Sequence, residues 1–147
     1  MSRQKQYDKT YINMAVEWSK LSHADRKQVG CIVVNDRTII SDGYNGTPSG
    51  FLNGCEELVV QNGIGELKTK PEVLHAESNA ITKLAKSTRS SEGATFYITL
   101  SPCLECAKLI IQSGINRVVY LEEYRNTEGI ELLKKAKINV EHIDMNI

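Results

Sequence analysis

Absences narrow this chain of 147 residues first. Neither sign of charge is in excess: eighteen basic residues balance eighteen acidic ones. No global field therefore recruits a long polyanion, and a small ligand is expected rather than nucleic acid. No apolar run approaches the roughly 20 residues of a membrane-crossing helix. The opening MSRQKQYDKTY lacks the apolar stretch of a secretory signal, so the expectation is a cytoplasmic protein with no membrane partner. Repeats and low-complexity tracts are missing too. Cysteine is sparse, at four residues; without an export signal these should stay thiols, which favours a metal or catalytic role over a disulfide framework.

What is present is an ordinary globular composition, 41% hydrophobic and 24% charged, in a length suited to one domain over residues 1–147. Tyr11, Met14, Ala15, Trp18 and Leu21 recur at helical spacing and predict a packing helix over 6–22. VGCIVV, NDR and TIISDGYN read as two strands around a tight turn. Residues 46–73 contain five glycines, two of the three prolines and little periodicity, which predicts a long functional loop. The second half alternates: helix 76–87, strand 94–100, helix 103–113, strand 117–121, helix 127–136 and strand 138–143. Such alternation predicts parallel strands with crossover helices. The expected fold is α/β, a three-layer α/β/α arrangement around a mixed five-stranded sheet.

Two stretches carry the chemistry. In LHAESNAITKL, His75 and Glu77 stand at the mouth of a predicted helix. In TLSPCLECAKLI, Cys103 and Cys106 lie one turn apart at the start of another, with Pro102 suited to the first turn. A helix N-terminus lowers a cysteine pKa and so helps to supply thiolate. His75, Cys103 and Cys106 then make three metal ligands, and three protein ligands with one open position describe a catalytic zinc. Residues two apart on a helix share no face, so Glu77 is expected to approach the water rather than the metal. Zinc lowers the pKa of water toward about 7, and a neighbouring carboxylate can accept and redeliver the proton.

HAE at 75–77 with PCLEC at 102–106 resembles the zinc-dependent cytidine and deoxycytidylate deaminases, whose signature is H-x-E with P-C-x-x-C. GYNGTPSG at 43–50 and GATFYITLSPCLECAKLIIQSGI at 93–115 look most like the dCMP-specific members, and the likeness covers roughly residues 10–143. Stand-alone cytidine deaminases usually present cysteine where this chain has His75. The resemblance implies a cytidine deaminase-like fold and hydrolysis of dCMP to dUMP and ammonia by a zinc-activated water, supplying dUMP for thymidylate synthesis. Glu77 would carry a proton to N3 and then to the departing ammonia. Main-chain groups near Leu100 and Ser101 would read the pyrimidine edge, Asn45 the sugar, and Lys86 and Tyr124 the phosphate side. It also implies a homo-oligomer, in many relatives a hexamer, with dCTP and Mg2+ activating and dTTP inhibiting through Gly43, Tyr44, Asn45 and Gly46.

Some relatives hold a second, structural zinc. Here Cys55 lies in the corresponding loop, but Ala24 and Asp25 stand near the other position, so one Zn2+ per chain is expected. His23 could substitute as a ligand for that second zinc but reads more readily as a solvent-facing residue at a helix end; Cys31 reads as core, Cys55 as an inert loop thiol and His142 as a strand residue. Asn79 is expected to bridge backbone groups. Lys83, Lys86 and Arg89 form a solvated helix face unless the resemblance holds, and Tyr44 and Tyr124 are as readily packing residues as ligand contacts. Three other functions fit parts of the pattern. A tRNA adenosine deaminase shares the zinc signature but needs a basic surface. A non-catalytic zinc module would not need Glu77, and a thioredoxin-like C-x-x-C would explain neither His75 nor Glu77.

Overall fold

The computed structural model describes residues 1–147. Helix α1 (Arg3–Ser19) leads into strands β1 (Gly30–Asn35) and β2 (Thr38–Tyr44). Strands β3 (Glu56–Gln61) and β4 (Ile64–Thr69) precede helix α2 (Ala76–Ala85). The chain continues through β5 (Thr95–Leu100), α3 (Leu104–Gln112), β6 (Arg117–Glu122), α4 (Glu128–Lys135) and β7 (Asn139–His142). The central sheet has five strands in the order β2-β1-β5-β6-β7. β1 is antiparallel to both neighbours, whereas β5, β6 and β7 run parallel, giving the mixed sheet that the sequence pattern predicts.

Alternation along the strands builds a core on each face. Cys31, Val33, Phe96, Ile98, Val118 and Tyr120 point to one side and meet Ala76, Ala80 and Leu84 of α2, Ala107 and Ile110 of α3, and Ile130 and Leu133 of α4. Ile32, Val34, Tyr97 and Val119 point to the other and meet Tyr11, Ile12 and Ala15 of α1. Three helices on one face and one on the other make the three layers. A parallel sheet buried on both sides needs runs of apolar residues, and Val118, Val119 and Tyr120 of β6 supply one.

Three sequence expectations need correction. The stripe of α1 is rotated: its buried residues are Asp8, Tyr11, Ile12, Ala15 and Ser19, while Met14 and Leu21 are exposed. The helix buries two polar residues, so a purely apolar reading selected a neighbouring face. The turn between β1 and β2 is made by Asp36 and Arg37, both at positive φ, rather than by Asn35 and Asp36. Finally, residues 46–73 are not all loop. Asn62 and Gly63, at positive φ, close a two-residue turn between β3 and β4, which form a separate two-stranded sheet. Asn-Gly between alternating apolar residues was the available signal.

Candidate active site

The site lies where the C-terminal end of β5 meets the N-termini of α2 and α3. His75 is the residue capping α2 and Cys103 the residue capping α3, both in extended conformation, so their side chains project from the two helix mouths. Close packing holds the mouths together. A Cβ on Gly43 would overlap the backbone carbonyl of Ala76, and one on Gly129 would overlap that of Pro102; only glycine lets β2 approach α2 and α4 approach the Cys103 turn so closely. Asn79 donates to Tyr44 O at 2.8 Å, tying α2 to the end of β2 as expected.

His75 Nδ1 stands 3.6 Å from Cys103 Sγ and 3.3 Å from Cys106 Sγ. All three donor atoms lie within 4.8 Å of one another. Zinc bonded at about 2.3 Å to sulfur and 2.0 Å to nitrogen sets tetrahedral S···N edges of about 3.5 Å, so the triad has the spacing that zinc requires. Its protonation also suits a cation. The bond from Cys106, followed by that from His75, pulls the Cys103 thiol well below the usual thiol range. Cys106 moves the opposite way, raised first by its bond to Cys103 and then by burial. A divalent ion among the three donors favours the thiolate form of both sulfurs.

Glu77 is buried beside the triad, and burial pushes its carboxyl up to about 7 against the opposing pull of its own backbone N–H and His75. A cavity of about 410 Å³ opens over these groups. Its walls include His75, Glu77 and Cys103 with Asn45, Leu100, Ser101 and Tyr124, so most of the site residues read from sequence converge here. Ser101 is engaged already: its N–H donates to Glu122 O at 2.9 Å and its Oγ accepts from Tyr124 N at 2.7 Å. It therefore holds Tyr124 at the cavity wall. Asn45 accepts from Val29 N at 2.9 Å and donates to Lys27 O at 2.8 Å, which shapes the segment carrying Arg26 and Lys27.

Four expected residues, Lys86, Gly43, Tyr44 and Gly46, are not part of the cavity wall. Lys86 is at the opposite end of α2, about 16 Å along the helix from His75. Gly43 is buried against α2 and has no face left for an effector, while Tyr44 meets Trp18 edge-on at 6.4 Å between ring centres. In their place the cavity gathers three basic residues that the sequence did not single out: Arg26, Lys27 and Arg125. Lys27 pairs with Glu122 at 2.6 Å, and the Glu56 carboxylate accepts from Asp25 N and Arg26 N at 3.0 and 3.1 Å. Their loops carry no periodic signal. Only their nearness to the zinc triad in space marks them.

Of the remaining reactive groups only Cys55 borders the cavity. Cys31 is fully buried in the core. Cys55 is buried at the foot of β3, forms part of the cavity wall and donates weakly to Asn53 O at 3.6 Å. His23 is exposed, and His142 stacks on Tyr120 with 5.1 Å between ring centres. No helix is long and apolar enough to cross a membrane.

Comparison with known proteins agrees with this geometry. The family model for the cytidine and deoxycytidylate deaminase zinc-binding region matches residues 5–122. The deoxycytidylate deaminase of Enterobacteria phage T4 is 34% identical over 89% of this chain and 86% of its own length. That of Saccharomyces cerevisiae is 34% identical over 91% of this chain, which spans only 44% of the yeast protein. The structure of the dCMP deaminase of cyanophage S-TIM5 in complex with dCMP and dUMP superposes with a TM-score of 0.84 at 40% identity, covering 97% of this chain and 99% of the phage chain.

Proposed function

The chain belongs to the cytidine and deoxycytidylate deaminase family, and from that premise we propose that it is a zinc hydrolase converting dCMP to dUMP and ammonia. The observation that carries this reading is Glu77: a buried carboxylate held near neutral pKa beside a His/Cys/Cys triad. A general base works best with a pKa near the operating pH, and neither a structural zinc nor a redox pair requires one.

His75, Cys103 and Cys106 would hold the zinc. When bound, the metal supplies Lewis acidity that makes water a nucleophile at neutral pH. Glu77 takes the proton from that water and passes it to N3 of the cytosine. The C4–O bond forms as the C4=N3 electron pair moves onto N3; Glu77 then takes the remaining hydroxyl proton and delivers it to the exocyclic nitrogen, the C4–N bond breaks as the C4=O double bond forms, and ammonia leaves. Main-chain groups of Leu100 and Ser101 face the pyrimidine edge, and Asn45, with one amide hydrogen still free, bonds the sugar hydroxyl. Arg26, Lys27, Tyr124 and Arg125 receive the 5′-phosphate, a role the sequence had divided between Tyr124 and Lys86. The same reading takes residues 1–147 as one cytoplasmic domain that assembles with copies of itself. Through the family resemblance it also includes dCTP with Mg2+, and dTTP, as effectors acting at the Tyr44–Gly46 turn.

The test is ammonia release by the zinc-loaded protein from dCMP, dCTP, cytidine and an adenosine-containing RNA hairpin. Release from dCMP above all others is expected. Release from another member of the panel but not from dCMP overturns the substrate assignment, and release from none overturns the enzyme.

A further inference from the structure

The β3–β4 hairpin is the one part of the fold whose apolar face covers nothing. Leu58 pairs with Leu67 and Val60 with Gly65 across the hairpin, so Leu58, Val60 and Leu67 share a face, yet they remain 67%, 62% and 43% exposed. The opposite face carries Glu57 paired with Lys68 and Val59 with Glu66. No helix or other strand packs against either one. An isolated two-stranded hairpin is marginal in water, and its outer edges present unpaired backbone groups.

The register shows which groups are free. Lys70 N donates to Cys55 O at 2.8 Å, which makes residues 55 and 70 a hydrogen-bonded pair. Because antiparallel pairs alternate, Glu57–Lys68, Val59–Glu66 and Gln61–Ile64 are hydrogen-bonded as well. The N–H and C=O groups of Gly65, Leu67 and Thr69 therefore point outward from β4. We propose that this edge pairs with β4 of a second copy of the chain, antiparallel about a two-fold axis through Leu67.

Charge selects that partner and that register. A two-fold at Leu67 sets Gly65 opposite Thr69 of the other copy and Leu67 opposite its equivalent, each with its outward N–H and C=O aligned for the ladder. It also sets Glu66 of each copy opposite Lys68 of the other. Opposite charges directly across a strand pair stabilise it and like charges destabilise it, and a two-fold interface must be self-complementary. The sequence Glu66-Leu67-Lys68 meets that condition by itself. The result is a four-stranded sheet with Leu58, Val60 and Leu67 of both copies on a continuous apolar face. Since Glu56 at the base of β3 holds the backbone of Asp25 and Arg26, the same contact steadies the basic rim of the cavity. This proposal gives the self-association included in the proposed function a surface and a register.

Sedimentation of the zinc-loaded full chain over a concentration series up to about 100 µM tests it, since a single-edge interface is expected to dissociate in the micromolar range. The parent chain should self-associate. Glu66→Lys or Lys68→Glu alone places like charges across the pair and should weaken association at least ~tenfold, whereas the double reversal E66K/K68E should restore it. Zinc content, unchanged in all three variants, shows that each has folded. A parent that stays monomeric, single variants that associate like the parent, or a double variant as dissociated as the singles each overturns the proposal. Sedimentation takes no account of turnover, so failure here leaves the deaminase reading intact, and loss of that reading leaves this one standing.

Discussion

Asp8 and Glu77 are both carboxylates, each only 4% exposed, and the protein treats them in opposite ways. Asp8, on α1, accepts from Tyr97 at 2.6 Å, from Gln4 at 2.9 Å and from both ends of the Arg117 fork at 2.9 and 2.8 Å. Burial acts to raise its pKa, but Arg117, Tyr97 and Gln4 together outweigh burial and hold it below the ordinary value. Glu77 has no such fork, so burial dominates and its pKa rises to about 7. Burial alone does not decide what a carboxylate does. Complete pairing commits Asp8 to the fold, whereas incomplete pairing leaves Glu77 able to exchange a proton.

The largest effect should come from removing the exchangeable proton. Glu77→Gln keeps the shape and should lower turnover of dCMP by ~10²–10⁴ with zinc content unchanged. His75→Ala and Cys103→Ala should lose zinc together with turnover. Metal analysis beside ammonia release reads both quantities, and a Glu77→Gln enzyme with near-normal turnover would remove Glu77 from the chemistry. Asp8→Asn should leave turnover within a fewfold while the protein stays folded.

Stability should rank the two carboxylates the other way. Asp8→Ala strands Arg117, whose side chain is 17% exposed, with Glu141 as its remaining carboxylate partner at 2.6 Å. Breaking one partner of a buried pair costs about 3 kcal/mol or more, which thermal unfolding of the zinc-loaded protein should register as a loss of roughly 10 °C.

The sign of the pH dependence sharpens the contrast in metal-stripped protein. The pKa of Asp8 is depressed in the fold, so its stabilisation is present above the unfolded value near 3.9 and disappears as pH falls through the folded value. The pKa of Glu77 is raised from 4.5 to about 7; its favourable contribution is complete below about pH 4.5 and is lost as pH climbs through 7. At pH 8, Glu77→Gln should therefore stabilise the stripped protein, by about 3 kcal/mol at most, while Asp8→Asn destabilises it. Denaturant midpoints at pH 4, 6 and 8 would measure this, and two substitutions of the same sign would contradict the difference in pairing.

How far the sequence discloses these features depends on whether a local pattern encodes them. The His/Cys/Cys triad and Glu77 are legible because metal chemistry demands particular residue types at fixed offsets from helix starts. The central strands are legible because two-sided burial demands β-branched runs such as VGCIVV. Asp8 was not, because a polar residue inside a helix face carries no sign of an arginine on a strand 109 positions away. Arg26 and Arg125 escaped for the same reason: loops on either side of the cavity meet only in the folded chain. The β3–β4 hairpin was legible from Asn62-Gly63, but the five glycines and two prolines of residues 46–73 obscured it.

The smallest predicted effects separate the basic residues that line the cavity from the one that does not. Arg26 and Arg125 are at the cavity wall, and a charge-assisted hydrogen bond to phosphate is worth about 1.5–3 kcal/mol. Arg26→Ala or Arg125→Ala should thus raise KM for dCMP roughly tenfold, with a much smaller effect on kcat because neither belongs to the cluster of His75, Cys103 and Cys106. Lys86 is solvent-exposed at the far end of α2, where charge is strongly screened at ionic strengths near 0.15 M because the Debye length is about 8 Å. Lys86→Ala should accordingly change KM by less than about twofold. Steady-state kinetics of the three variants decides between the two placements: a tenfold KM defect confined to Lys86→Ala would show that the phosphate is bound by a different surface and, across so long a helix, by one that a neighbouring copy of the chain helps to build.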